Sequence, residues 1–191
     1  MNIANKLTSL RIILALVCMG LVVKNTLFFL IAGFLVFILA SLTDLFDGIL
    51  ARSQGIVSDL GKILDPIADK VLILGVFLAF VEIKAVHSWM VILIMFREFL
   101  ITGIRIFALR KGRVLAAQRF GKHKTFSQML GIIIIFIVLI TNKIPSANGR
   151  YFLPAKISNN VIFWLMLWIV FITLLSGGVY LWKNRKIIKS L

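Results

Sequence analysis

The sequence predicts an all-α integral membrane protein with six transmembrane helices. Of its 191 residues, 61% are hydrophobic and the mean hydropathy is +1.05, which is far more apolar than an ordinary soluble domain. Several stretches have the length of about 20 apolar residues that a helix needs to cross a bilayer. The acidic residues are few, and five of the seven lie between positions 44 and 69. These observations predict a membrane protein whose chemistry is concentrated in one segment.

The helices follow from the apolar stretches in chain order. The stretches 25–43 and 161–182 contain no charged residue, and 125–141 is flanked by Lys124 and Lys143. Three further stretches are apolar but carry charges inside or at their ends. The first of them lacks a small-residue cleavage site, so we expect a retained helix and not a signal peptide. The predicted helices cover residues 7–23, 25–50, 63–82, 86–108, 125–141 and 161–182 of one membrane-embedded domain spanning 1–191.

The net charge of +15 is distributed as a membrane topology requires. If the N-terminus is cytoplasmic and the six helices alternate, 15 of the 22 Lys and Arg residues lie at cytoplasmic ends and five lie outside. This bias fits the positive-inside rule and favours contact with anionic lipid. It predicts a multi-pass protein of the cell membrane with both termini in the cytoplasm. It also argues against nucleic acid as the partner of the basic residues.

Four aspartates form two pairs at helical spacing. Asp44 and Asp47 are three residues apart, and Asp65 and Asp69 are four apart, so each pair shares one face of a helix. The two helices are joined by a short loop and must be neighbours. The four carboxylates are therefore expected to converge at the cytoplasmic membrane surface, where ionisable groups usually mark function.

A divalent cation is the interpretation that best accounts for this acidic cluster. Crowded carboxylates repel one another, and Mg²⁺ or a similar hard cation bound by their oxygens relieves the repulsion. Simpler roles exist for some of the acids. Asp65 precedes Pro66 and could cap a helix, and Asp44 or Asp47 could pair with an arginine. Capping explains one aspartate and leaves the others unexplained.

The same residues resemble a known family. The pattern D-x2-D-G-x2-A-R-x8-G-x3-D-x3-D, which begins at Asp44 and ends at Asp69, is the signature of the CDP-alcohol phosphotransferases. The similarity extends over the whole chain and implies that family's six-helix fold, a cytoplasmic active site and a homodimer. Segments at 5–11, 97–105 and 121–125 resemble the branch of the family that makes phosphatidylglycerophosphate.

The resemblance implies a reaction and a donor site. The family transfers a phosphatidyl group from CDP-diacylglycerol to an alcohol and releases CMP. It uses two Mg²⁺ or Mn²⁺ ions, which Asp44, Asp47, Asp65 and Asp69 would hold, with Asp69 also acting as the general base. The residues implied to contact CDP-diacylglycerol are Asn5, Thr8, Gly48, Arg52 and Ser58.

The acceptor is predicted to carry a phosphate. Arg97 and Arg105 lie inside an apolar helix, and Lys122 and Lys124 precede the next one, which together make a suitable phosphate clamp. This favours sn-glycerol 3-phosphate as the acceptor. The simpler alternatives are an ion pair between Arg97 and Glu98, and snorkelling of Arg105 to the interface.

Alternative functions predict sequence features that differ from those observed. A family member with another acceptor, such as inositol phosphate or phosphatidylglycerol, would share the acidic signature but not the segments at 97–105 and 121–125. A cation transporter with an acidic site would place its acids near the bilayer midplane. A membrane scaffold without chemistry would leave the four aspartates unexplained.

Overall fold

The computed structural model describes residues 3–54, 59–111, 120–144 and 154–185. For residues 3–8, 44–54, 59–69, 109, 120–123 and 155 it describes the backbone alone. Within this part of the chain, all regular structure is helical and forms six helices. They are α1 (Ile3–Val23), α2 (Leu27–Gln54), α3 (Asp59–Glu82), α4 (Ser88–Arg110), α5 (Phe120–Thr141) and α6 (Ala155–Lys183).

The six predicted helices are confirmed in number and order, but several of them are longer than the prediction. Helix α2 continues to Gln54, α5 begins at Phe120 and α6 begins at Ala155. For α5 and α6 the prediction marked only the apolar stretches, 125–141 and 161–182. A helix is held by backbone hydrogen bonds that continue into polar residues, so apolarity alone underestimates its length.

Two tight turns fix the pairing of the first four helices. Asn25, between α1 and α2, has a φ of 50°, and Lys84, between α3 and α4, has a φ of 58°. A left-handed residue ends a helix because its N–H turns back to a carbonyl of the last turn. The N–H of Asn25 donates to the carbonyl of Val22 at 3.0 Å, and that of Lys84 to the carbonyl of Val81 at 2.9 Å. Each turn therefore makes its two helices antiparallel neighbours.

Aromatic side chains join the helices in the core. Phe136 of α5 is fully buried, and its ring lies 5.5 Å from that of Phe34, 6.1 Å from Phe37 and 5.1 Å from Phe80, measured between centroids. These contacts connect α5 to α2 and to α3. The core is continuous from α1 to α6.

The outer surface is rich in large apolar side chains. Phe28, Trp164 and Phe126 are 74%, 65% and 67% exposed. A soluble monomer rarely exposes so continuous an apolar surface, whereas lipid tails cover one without cost. Among the described residues, two helices carry segments long and apolar enough to cross a membrane, Lys124–Thr141 and Lys156–Lys183. Shorter apolar segments lie at Ser9–Val23 and Leu27–Thr43.

Candidate functional site

The predicted metal ligands lie on the facing ends of two consecutive helices. Asp44 and Asp47 are in the C-terminal half of α2, and Asp65 and Asp69 are in the N-terminal half of α3. Four residues separate Gln54, the end of α2, from Asp59, the start of α3. The backbone is helical at all four aspartates, as their spacing predicted. Their side chains lie outside the described part of the chain.

The other predicted donor-site residues also fall outside the described side chains. The backbone is helical at Asn5, Thr8, Gly48 and Arg52, and Ser58 lies in the segment that the structure does not describe. Among the side chains that are described, no group of three His, Cys, Asp or Glu residues could hold a metal ion. The two-metal site therefore remains a prediction that rests on the aspartates.

A hydrogen-bonded link connects the acidic end of α3 to α4. Lys70, the residue after Asp69, donates from Nζ to the hydroxyl of Thr102. That hydroxyl donates in turn to the backbone carbonyl of Glu98 at 2.8 Å. The turn that carries the predicted base is thus adjacent to the polar part of α4.

Glu98 is the centre of a buried ionic cluster. Its Oε1 accepts a hydrogen bond from Nη1 of Arg97 at 3.2 Å and another from Nζ of Lys124, which is on α5. All three side chains are buried, with 10% of the Arg97 side chain and 9% of the other two exposed. Charges so far from water persist when they are paired and hydrogen-bonded. Two of the four residues predicted to bind the acceptor phosphate therefore meet at one carboxylate.

One carboxylate is shared here between two cations. The structure describes the side chains of two acids, Glu98 and Glu82, and Glu82 is exposed at the far end of α3. The ion pair between Arg97 and Glu98, which was the simpler role considered for Arg97, is thus present.

Helix α6 completes the surroundings of Arg97. Nη2 of Arg97 donates to the hydroxyl of Ser176 at 3.0 Å. The arginine side chain crosses α6 at Gly177, where an added Cβ would lie 3.0 Å from its Cγ and 3.2 Å from its Nε. Nε is buried and has no hydrogen-bond partner within the described part of the chain.

The remaining predicted acceptor residues are placed differently. Arg105 is exposed, and its guanidinium carbon lies 5.9 Å from the ring centroid of Tyr180 on α6. It is two turns along α4 from Arg97 and does not contact Glu98. Lys122 lies in the first turn of α5, and its side chain is outside the described residues.

The sequence reasoning missed the contribution of α6. This helix carries buried polar residues at intervals of three or four in an otherwise apolar segment. That periodicity was visible and indicates a polar face that must meet polar partners. The residues of this polar stripe are Thr173, Ser176, Tyr180 and Asn184.

The structure is a helical bundle with many exposed apolar side chains, and it holds a buried ionic cluster close to the helix pair that carries the four aspartates. This architecture is typical of the class of membrane-associated helical proteins. The comparisons with known proteins narrow this class. The model of the CDP-alcohol phosphatidyltransferase family matches residues 1–175, and the chain belongs to this family.

Named relatives agree with the family assignment. A CDP-diacylglycerol–glycerol-3-phosphate 3-phosphatidyltransferase of Bacillus subtilis (strain 168) is 37% identical over 161 residues, which are 84% of this chain and 77% of the relative. A protein of the same name from Rickettsia felis is 33% identical over 186 residues, or 97% of this chain and 96% of the relative. Another from Rickettsia typhi is 33% identical over 94% of both chains.

Proposed function

We propose that this protein transfers the phosphatidyl group of CDP-diacylglycerol to sn-glycerol 3-phosphate, giving phosphatidylglycerophosphate and CMP. The relatives are named for this reaction and align with most of the chain. The observation that carries the choice of acceptor is the buried cluster in which Arg97 and Lys124 share Glu98. Guanidinium and ammonium groups are the cations that bind phosphate in proteins, so this cluster suits an acceptor that carries a phosphate.

In this reaction a hydroxyl of the acceptor attacks the phosphorus that bears the diacylglycerol. A new phosphorus–oxygen bond forms, the bond to the bridging oxygen breaks, and CMP leaves with the electron pair. Asp69 accepts the proton of the attacking hydroxyl as a general base. Lys70 and Thr102 connect the turn of Asp69 to α4, so this base is adjacent to the helix that holds the acceptor phosphate.

The acidic residues fit a divalent-metal site. Four carboxylates on two helical turns offer the oxygen ligands that Mg²⁺ and Mn²⁺ prefer, and the backbone there is helical as the one-face pairing requires. Asp44, Asp47, Asp65 and Asp69 would hold two ions. Metal ions bound there would supply electrostatic stabilisation of the pyrophosphate as it accepts negative charge.

Two groups of residues would then bind the two substrates, one group for each. Asn5, Thr8, Gly48, Arg52 and Ser58 would hold the cytidine diphosphate part of the donor. The phosphate of the acceptor would be gripped by Arg97, Arg105, Lys122 and Lys124.

The protein is proposed to cross the cell membrane six times, with both termini and the active site on the cytoplasmic side, and to form a homodimer. The exposed apolar side chains and the bias of Lys and Arg support the membrane placement. The acyl chains of the donor require access from the bilayer, which a membrane-embedded site supplies.

The test is CMP release by the purified protein in lipid nanodiscs. We expect release from CDP-diacylglycerol that depends on both glycerol 3-phosphate and Mg²⁺ and that stops in excess EDTA. Asp44→Asn should abolish it, whereas Glu82→Gln, an exposed acid at the opposite end of the helix pair, should not. Full activity in EDTA would exclude the metal site. Inositol phosphate or phosphatidylglycerol as the preferred acceptor would show that the acceptor is wrongly assigned.

A further inference from the structure

The polar stripe of α6 has one member whose polar group is unsatisfied. The hydroxyl of Thr173 accepts a hydrogen bond from Gln128 of α5 at 3.3 Å, and Ser176 accepts one from Arg97. Asn184 donates from its side chain to the carbonyl of Tyr180 at 2.9 Å. The hydroxyl of Tyr180 is buried and has no hydrogen-bond partner within the described part of the chain.

A buried hydroxyl without a partner is unfavourable and usually signals a ligand or a water that completes it. Tyr180 is only 4% exposed, and its ring packs against Ile101 and Ala108 of α4. The ring is therefore held in place by these apolar contacts and by the guanidinium of Arg105, which lies 5.9 Å from its centroid. Packing accounts for the ring but not for the hydroxyl, since a phenylalanine would fill the same space without the cost.

Both arginines predicted to bind the acceptor are contacted by α6. Arg97 donates to Ser176 and passes Gly177, and Arg105 lies over the ring of Tyr180, one turn further along. Arg105 and Tyr180 are also within electrostatic range of Arg97. Nε of Arg97 is the second buried polar atom without a partner in this seam between α4 and α6. The Tyr180 hydroxyl and Nε of Arg97 are thus unsatisfied donors, and Arg97 and Arg105 supply two positive charges. Such a set of donors and charges matches the needs of a phosphate group.

We propose that Ser176, Gly177 and Tyr180 of α6 form a wall of the acceptor site beside the residues of α4 and α5, and that the Tyr180 hydroxyl donates a hydrogen bond to the acceptor's phosphate. Ser176 orients Arg97, and the Tyr180 ring orients Arg105. This inference rests on the proposed function, because it concerns the acceptor of that reaction.

Tyr180→Phe is the discriminating variant, because it removes the hydroxyl and keeps the ring against Arg105. Activity is measured as CMP release with each substrate varied separately, and stability as the thermal unfolding midpoint. We expect the KM for glycerol 3-phosphate to rise about tenfold, the effect of one lost hydrogen bond to a charged group. The KM for CDP-diacylglycerol should stay unchanged, and the unfolding midpoint without substrates should not fall, because the hydroxyl that is removed has no partner in the described part of the chain.

Thr173→Val is the matched control, since it removes a buried hydroxyl of the same helix that already has a protein partner. It should lower the unfolding midpoint and leave the acceptor KM unchanged. An unchanged acceptor KM in Tyr180→Phe, or equal losses toward both substrates, would overturn the assignment of Tyr180. Wild-type protein that releases no CMP with glycerol 3-phosphate would instead overturn the proposed function itself.

Discussion

Glu98 illustrates how a single buried carboxylate can hold two cationic side chains in place. It is one of the two acids outside the 44–69 cluster, and it is buried between cations from two helices. Because its carboxylate fixes the ends of Arg97 and Lys124, these flexible side chains need not be ordered when an anion binds. Ser176 restrains Arg97 from the other side. The cluster is therefore preorganised by neighbours on three helices.

Gly177 provides the space that this arrangement needs. In Gly177→Ala the new Cβ would lie 3.0 Å from Cγ of Arg97, so the arginine must shift away from Glu98 or Ser176. We expect the KM for glycerol 3-phosphate to rise about threefold to tenfold, as part of a charged hydrogen bond is lost. Steady-state kinetics with a fixed donor concentration measures this. Gly178→Ala is the control, since a Cβ there meets nothing within 4 Å, and similar losses in both variants would contradict the prediction.

Asp69 is assigned the proton transfer, and the neutral Asp69→Asn variant tests this role. A general base contributes roughly 10²–10⁴-fold, so turnover should fall by at least about a hundredfold. Donor binding should persist, because three aspartates remain to hold metal. Single-turnover CMP release and a separate CDP-diacylglycerol binding measurement distinguish the two effects. Retention of more than about a tenth of the turnover would exclude Asp69 as the base.

At the scale of whole helices, the sequence predicted what depends on periodicity and apolarity. The number and order of the helices and the placement of the aspartate pairs on consecutive helices followed from local patterns. The contact of Lys124 with Glu98 and the role of α6 could not be predicted that way. They depend on which helices pack together, and this is decided by side-chain shape between segments that are distant in the chain. Within α6, the interval of the polar residues indicated a polar face but not its partner.

The packing of α5 on α6 depends on a small residue. A Cβ at Gly131 would overlap with Cδ1 of the buried Ile169 side chain, so one of the two must move. Gly131→Ala should therefore separate the helices or displace the isoleucine, and lower stability by about 1–3 kcal/mol, as overpacking does. Thermal unfolding in detergent measures the change. Gly103→Ala adds its methyl into open space and should be neutral or slightly stabilising. If Gly131→Ala unfolds no earlier than Gly103→Ala, this contact does not limit the helix spacing.

At the scale of the whole molecule, the two ends of the helical bundle carry different features. Near the end of the bundle that holds the ionic cluster, Arg185 lies 4.4 Å from the ring centroid of Trp182, and Lys111 lies 5.2 Å from that of Phe107. Basic residues beside exposed aromatic rings are typical of a membrane interface, and the bias of Lys and Arg predicts that this end is the cytoplasmic one. The opposite end carries the turns at Asn25 and Lys84.

The difference between the two ends of the bundle predicts that the two ends of α4 are accessible from opposite sides of the membrane. Lys84 precedes the helix, Lys111 follows it, and both side chains are exposed. The chain's single cysteine, Cys18, is buried and donates from Sγ to the carbonyl of Gly33 at 3.3 Å, so it should not react with a bulky polar reagent. In intact cells, a membrane-impermeant maleimide should therefore label Lys84→Cys and leave Lys111→Cys unlabelled. Inverted membrane vesicles should give the opposite pattern, and the wild-type chain should stay unlabelled in both. Labelling of both variants from the same side would mean that α4 does not span the membrane. A reversed pattern would place the active site on the outer face, away from its water-soluble substrate.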